Sequence, residues 1–325
     1  MKKIIFLSFL LVPFSSFMPP SKNPSIPSAK PLIKTIIIDP GHGGKDPGAR
    51  GLITTEAHVA LDISLKLGKA IQKQFPDIRI VFTRTTDILP GNVSNVNQGI
   101  KNRAVIANEV KPHGDLFISI HCNSVGKAGG WYEKRIKGYT TKVVYNGKGR
   151  KRKKTYVRQP IYENYYVENK TAGTETFVWA ADRSEEKSAT IGSDSYGEDV
   201  NDSLNILDLN SPEAKIRATL YTKSYFHNSY TLAKYVEDEF KKAGRVTRGG
   251  VKQRNDKGIW VLQATGMPSI LIETGFITNK HEEAYLNSSN GQEQLVDNIM
   301  SAIKKYKEEV ESSKSGKTKL VKTVE

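Results

Sequence analysis

Thr35-Ile36-Ile37-Ile38-Asp39-Pro40-Gly41-His42-Gly43-Gly44 is the stretch whose reading decides the fold. An apolar, β-branched run of this kind reads as a buried strand. Asp-Pro-Gly ends it as a turn, and a histidine follows at once. His42 therefore falls at the carboxyl end of a strand, where open α/β sheets carry their chemistry. The pattern recurs twice. Asp115-Leu116-Phe117-Ile118-Ser119-Ile120 ends in His121-Cys122-Asn123, and Pro268-Ser269-Ile270-Leu271-Ile272 ends in Glu273-Thr274-Gly275-Phe276.

Between these runs the sequence alternates strand and helix. Residues 56 to about 75 repeat apolar side chains at helical spacing, through Val59, Ile63, Leu67, Ala70 or Ile71, and Phe75. Residues 77–83 read as a second strand. Residues 97–110 read as a helix that stops before Lys111-Pro112-His113-Gly114. The alternation predicts an α/β fold: a single domain with a central, mostly parallel, twisted sheet flanked by helices. Further along, 173–180, 258–263 and 269–273 read as strands, and 229–243 and 291–309 as helices.

The ends and insertions read differently. Met1-Lys2-Lys3 precedes an apolar run over 4–14, the pattern of a secretory signal peptide, assigned to residues 1–20. That run is shorter than the ~18 residues of a membrane span. No cysteine follows it for a bacterial lipid anchor, so the mature chain is expected to be exported to a periplasm or cell surface. Residues 21–33 read as a linker, 34–310 as the catalytic domain and 311–325 as a disordered tail. A basic insertion occupies about 125–172 and an acidic one about 182–215. Cys122 is the single cysteine, which excludes an intramolecular disulfide. Its place on an apolar strand predicts a small buried filler rather than a nucleophile.

The net charge is +15 over 325 residues. Much of the excess lies in 129–158, which holds eleven Lys or Arg against Glu133 alone. Such a local excess argues against nucleic acid as a partner, because a nucleic-acid enzyme spreads charge along a groove. It suits anionic envelope polymers or a membrane surface. The competing reading is a solvated hairpin turning at Asn146-Gly147-Lys148-Gly149.

A hydrolytic zinc site needs three protein ligands and one open position. His42 and His121 both end strands, and Glu56 stands at the mouth of the first helix. Two histidines and a glutamate form a recognised catalytic zinc set. Glu273, ending a third strand, is the candidate to carry a proton to a leaving amine. Each residue alone has a plainer role; Glu56, for example, could simply favour the helix dipole. His58, His113, His227 and His281 lack strand-end placement and read as surface or structural.

Taken together, these residues resemble a known family. Asp39 to Ala49, Glu56, Thr83-Arg84, Arg103 with Ala107-Asn108, Ser119 to Ser124, and Met267 to Asn279 are similar to the zinc-dependent N-acetylmuramoyl-L-alanine amidases of the type-3 family. The resemblance covers about 34–123 and 173–305. It implies an exported peptidoglycan hydrolase that cuts the amide between the lactyl group of N-acetylmuramic acid and L-alanine. It implies zinc held by His42, Glu56 and His121, with Glu273 as the catalytic carboxylate. Two departures stand out. Ala60 replaces an asparagine usual in the first helix. The acidic segment sits where regulated members carry an inhibitory helix released by an activator protein, yet it offers no clear plug glutamate. The competing functions are a silent wall-binding regulatory protein on the same fold and a zinc carboxypeptidase of the stem peptide.

Overall fold

A computed structural model describes residues 33–181, 187, 212–256 and 258–314. The expected signal peptide, most of the linker and acidic insertion, and most of the tail lie outside these residues. The first strand, β1 (Thr35–Pro40), leads to α1 (Glu56–Gln74), β2 (Arg79–Phe82), α2 (Val96–Asn108) and β3 (Leu116–Asn123). A long ribbon follows, β4 (Gly130–Asn146) and β5 (Lys153–Glu168). The chain then forms β6 (Thr174–Val178), α3 (Pro212–Lys242), β7 (Thr247–Gln253), a short α4 (Trp260–Gln263) and β8 (Ser269–Phe276). Two helices close the fold, α5 (Lys280–Asn287) and α6 (Ser289–Lys314).

Six strands build one sheet in the order β2-β1-β3-β8-β6-β7. Neighbours run parallel except β6 against β8. The expected α/β sheet is therefore present, with one antiparallel junction. β1, β3 and β8 are apolar almost throughout because both of their faces are covered. Ile36, Ile38, Leu116, Ile118, Ile270 and Ile272 pack with α1, α3 and α6 in the larger core cluster. Ile37, Phe117 and Leu271, one residue out of step, point the other way into a smaller cluster with Ala107, Trp179 and Leu262.

The same two-residue period sorts the polar groups. Asp39, Ser119, His121 and Glu273 share the parity of the smaller cluster, and register pairs Asp39 with Ser119 and His121 with Glu273. The thinner side of the sheet thus carries the polar residues at the strands' carboxyl ends.

Several expectations need correction. Residues 258–263 are not a strand: Trp260–Gln263 is a helical turn that buries Val261 and Leu262. So short an apolar run has no period to distinguish the two. The helix expected over 229–243 begins at Pro212, inside the segment read as acidic insertion, since proline suits a first helical turn. The last helix expected over 291–309 is present within α6, but α5 before it was not anticipated; the two part at Ser288, whose backbone is extended. α6 runs to Lys314, beyond the expected start of the tail. Ile33 is buried in the main core rather than part of a linker. β7 was not anticipated, because Gly249-Gly250 interrupts its pattern. Among the described residues no helix is long and apolar enough to cross a membrane.

Candidate metal centre

The loop after β1 is shaped by its glycines. His42 itself has a left-handed backbone, with φ 57°. A Cβ on Gly41 would lie 2.5 Å from the His121 ring. Gly48, with φ +64°, leaves no room for one either: it would meet Glu56 and the His42 ring, each at 2.6 Å. Side chains at 41 or 48 would therefore push the site apart.

Two buried arginines hold the loop from below. Arg84 donates to the carbonyls of Pro40, Gly41 and Ala57. Arg103 donates to the carbonyls of Pro40 and His42 and pairs with the buried Asp39 carboxylate. Thr83 and Ser119 hydroxyls donate to the same carboxylate. Burial, then the nearby Arg103, bring Arg84 down to about 10. The resemblance included Thr83, Arg84, Arg103 and Ser119 without assigning them this scaffolding role. Only tertiary structure reveals which carbonyls they reach.

His42, Glu56 and His121 converge. Their potential ligand atoms all lie within 4.8 Å of one another, and this is the one such group among the described residues. Glu56 opens α1, and its Oε2 accepts from Ala49 N at 2.9 Å. Its Oε1 lies 3.1 Å from His42 Nε2 and 2.8 Å from His121 Nδ1, and accepts from Cys122 N. His42 Nδ1 donates to Asp46 Oδ2 at 2.8 Å, which fixes the imidazole in place. With that tautomer a neutral His42 turns the Nε2 lone pair toward a carboxylate oxygen. The site therefore calls for positive charge between them.

The titration behaviour says the same. Burial alone would lower His42, but hydrogen bonds to Asp46 and Glu56 outweigh it and raise it to about 9. Burial would raise Glu56, yet the two imidazoles hold it well below the usual carboxylate range. A divalent cation supplies the same charge without protonating the ring. Two imidazoles and one carboxylate, with one imidazole oriented by an outer carboxylate, form a donor set fit for such an ion. The three residues can hold a metal.

Glu273 stands in the same cleft, of about 490 Å³, lined also by Asn123, Arg254, Trp260 and Val261. Burial, then the negative charge of Glu56, push its carboxyl up to about 8, with Arg254 opposing. Its Oε2 is buried without a hydrogen-bond partner among the described residues. Beside it, Glu175 pairs with Arg248 and Lys252 and accepts from Asn123 Nδ2. Glu175, Arg254 and Trp260 were not found from the sequence: the pairing of β6 could not be read in advance, Arg254 follows the unanticipated β7, and Trp260 opens the turn read as a strand.

The remaining expectations sort cleanly. Cys122 is buried in the main core, and burial, then Glu56, raise its thiol so that it stays protonated. His58 and His281 are exposed and do not line the cleft, pairing loosely with Asp87 and Glu168. His227 is exposed and His113 half-buried, both outside the cleft.

Comparison with known proteins places this geometry in context. The family model described as Amidase_3, N-acetylmuramoyl-L-alanine amidase, matches residues 36–305. The chain is 26% identical over 281 residues to N-acetylmuramoyl-L-alanine amidase AmiC of Escherichia coli O6:H1, covering 85% of this chain and 53% of that protein. It is 28% identical over 278 residues to a putative N-acetylmuramoyl-L-alanine amidase of Buchnera aphidicola subsp. Acyrthosiphon pisum, covering 84% and 94%. The chain thus spans about half the length of the first curated relatives it matches. Among solved structures, the CwlD amidase of Clostridioides difficile, in complex with the GerS lipoprotein, shares the fold. The TM-score is 0.51 at 24% identity, covering 84% of this chain and 98% of that one.

Proposed function

The chain belongs to the Amidase_3 family of N-acetylmuramoyl-L-alanine amidases, and from that premise we propose that it is a zinc-dependent hydrolase of peptidoglycan. The bond cut is the amide between the lactyl group of N-acetylmuramic acid and the L-alanine of the stem peptide. One observation carries the reading: His42, Glu56 and His121 converge at the floor of a cleft that also holds the buried carboxyl of Glu273.

His42, Glu56 and His121 are the zinc ligands in this proposal. Zinc there would polarise a carbonyl and make water acidic enough to serve as a nucleophile near neutral pH. Glu273 takes a proton from the attacking water and returns it to the departing alanine nitrogen. A carboxyl raised to about 8 lies close to the working pH, where one group serves well as both base and acid. Asp46 holds the His42 ring in its tautomer. Arg254 adds a positive charge at the rim, suited to a carboxylate of the stem peptide.

The enzyme acts outside the cytoplasm, in the periplasm or at the cell surface. The signal-like start of the chain and the nature of the substrate support that location. The CwlD structure includes a lipoprotein partner, and an activator protein is a corresponding proposal here.

Mass analysis of digested peptidoglycan is the test. The zinc-loaded protein should release free peptides that begin with L-alanine, and chelation should stop the release. Shortened peptides still attached to sugar would indicate a carboxypeptidase. Absence of products would indicate a silent binding protein.

A further inference from the structure

The β4–β5 ribbon plays no part in the site just described. Its strands hold 17 and 16 residues, making a twisted two-stranded arm roughly 50 Å long. The expected hairpin turn is in place, but the paired region runs far beyond it, from Gly130↔Glu168 to Asn146↔Lys153. Ribbons of this kind are barely stable alone. Here the root is clamped: Asn169 Nδ2 donates to Val125 O, Tyr166 OH to Gly129 O, and Gly129 N to Thr278 O.

Register separates the two faces. The bulge between Ile136 and Gly138 shifts β4 by one residue, which keeps its tyrosines in line with those of β5. One face therefore carries Tyr132, Tyr139, Tyr145, Tyr156, Tyr162 and Tyr166. All six are exposed, from 49% at Tyr166 to 71% at Tyr132. Lys134, Lys154 and Arg158 lie among them, and Arg158 sits 3.7 Å over the Tyr139 ring. Beyond Glu168 at the root, this face has no carboxylate. The opposite face carries Glu133 and Glu163, where Arg135 and Trp131 bond Glu133. Away from the root, acids are thus confined to one side, and the other is left aromatic and positive.

We propose that the tyrosine face of the β4–β5 ribbon is a binding track for an anionic polysaccharide. Sugar rings stack on flat aromatic faces, phenol hydroxyls meet sugar hydroxyls, and Lys134, Lys154 and Arg158 meet the polymer's negative groups. A membrane surface fits less well. Faces that enter lipid combine basic residues with Trp, Phe and Leu, and none of these three types stands on this face. Six exposed tyrosines gathered on one face, rather than scattered singly, mark an interaction site. The track also leads to the cleft: β3 ends at Asn123, and Asn123 and Ser124 line the cleft just before the ribbon's root. This inference rests on the peptidoglycan-amidase reading, and it assigns the ribbon to hold the glycan while the stem peptide is cut.

The test uses the zinc-loaded full chain and three variants. Tyr139→Ala/Tyr156→Ala/Tyr162→Ala removes stacking, and Lys154→Glu/Arg158→Glu reverses charge on the same face. Lys142→Glu/Lys153→Glu makes the same charge change on the opposite face. Binding is measured by sedimentation with protein-free sacculi and with phosphatidylglycerol/phosphatidylcholine vesicles, and hydrolysis with a short soluble muropeptide. Both tyrosine-face variants should bind sacculi at least about tenfold more weakly, and the opposite-face variant should lose much less. The rate on the short muropeptide should not change, which also shows that the variants fold. Unchanged binding to sacculi by the triple tyrosine variant would overturn the proposal. So would equal losses from both faces, or binding to vesicles and not to sacculi. If the unaltered protein fails to cleave the muropeptide, the amidase reading fails instead, whatever the sacculi show.

Discussion

His121 and Glu273 are register partners across the β3–β8 ladder, so a candidate ligand and a candidate proton carrier lie side by side on one face of the sheet. The pairing follows from two parallel strands of the same apolar pattern. On each strand the polar side chain directly follows the apolar run, after Ile120 in β3 and Ile272 in β8, and the register sets the two level.

Glu273→Gln keeps the shape of the side chain and removes its ability to exchange a proton. Peptidoglycan hydrolysis should fall by about 10²–10⁴-fold, while metal content measured by atomic emission stays at the unaltered level. Normal turnover by this variant would exclude Glu273 from proton transfer.

Glu273 should also leave a mark on stability. Its carboxyl is raised from an ordinary 4.5 to about 8, so between those values the folded chain holds a proton that the unfolded chain has lost. Stability from this group therefore falls as pH rises through that window. In chelated protein, Glu273→Gln should unfold at a higher temperature than the unaltered chain above pH 8. The difference should vanish near pH 4. Calorimetry across pH reads it directly, and a difference independent of pH would contradict the assignment.

Gly41→Ala tests the close approach in the first loop. The new methyl would stand 2.5 Å from the His121 ring, so the ring must move. Zinc affinity, read by competition with a chromogenic chelator, should drop, with far-UV circular dichroism unchanged. Full zinc affinity would show that the loop gives way easily.

Arg103→Leu removes the ion-pair partner of the buried Asp39 carboxylate and leaves it hydrogen-bonded to the Thr83 and Ser119 hydroxyls. Breaking a buried pair from one side costs about 3–5 kcal/mol. Urea denaturation of the chelated protein should show a loss of that order. Exchanging both partners, Asp39→Asn with Arg103→Leu, should recover part of it.

The candidate site was legible in the sequence because its chemistry sits at the ends of strands with strong patterns. β1, β3 and β8 are long apolar runs with abrupt stops, so His42, His121 and Glu273 could be located without knowing the sheet order. Glu56 was legible as the first residue of an amphipathic helix. The scaffold under them was not: nothing local shows that Arg84 and Arg103 reach the carbonyls of the first loop, because those contacts span more than forty residues. β7 was hidden by paired glycines, and α4 by its four-residue length. The ribbon's extent was hidden for another reason. Both of its faces meet solvent, so no apolar alternation marks where its strands begin.

The central claim is that His42, Glu56 and His121 together grip one metal ion. Anomalous scattering at the zinc edge, from crystals grown with zinc supplied, tests it most directly. The account predicts a single strong peak about 2.0–2.2 Å from a nitrogen of each imidazole and a carboxylate oxygen of Glu56. A peak elsewhere in the molecule, or imidazoles turned away from the bound ion, would contradict it.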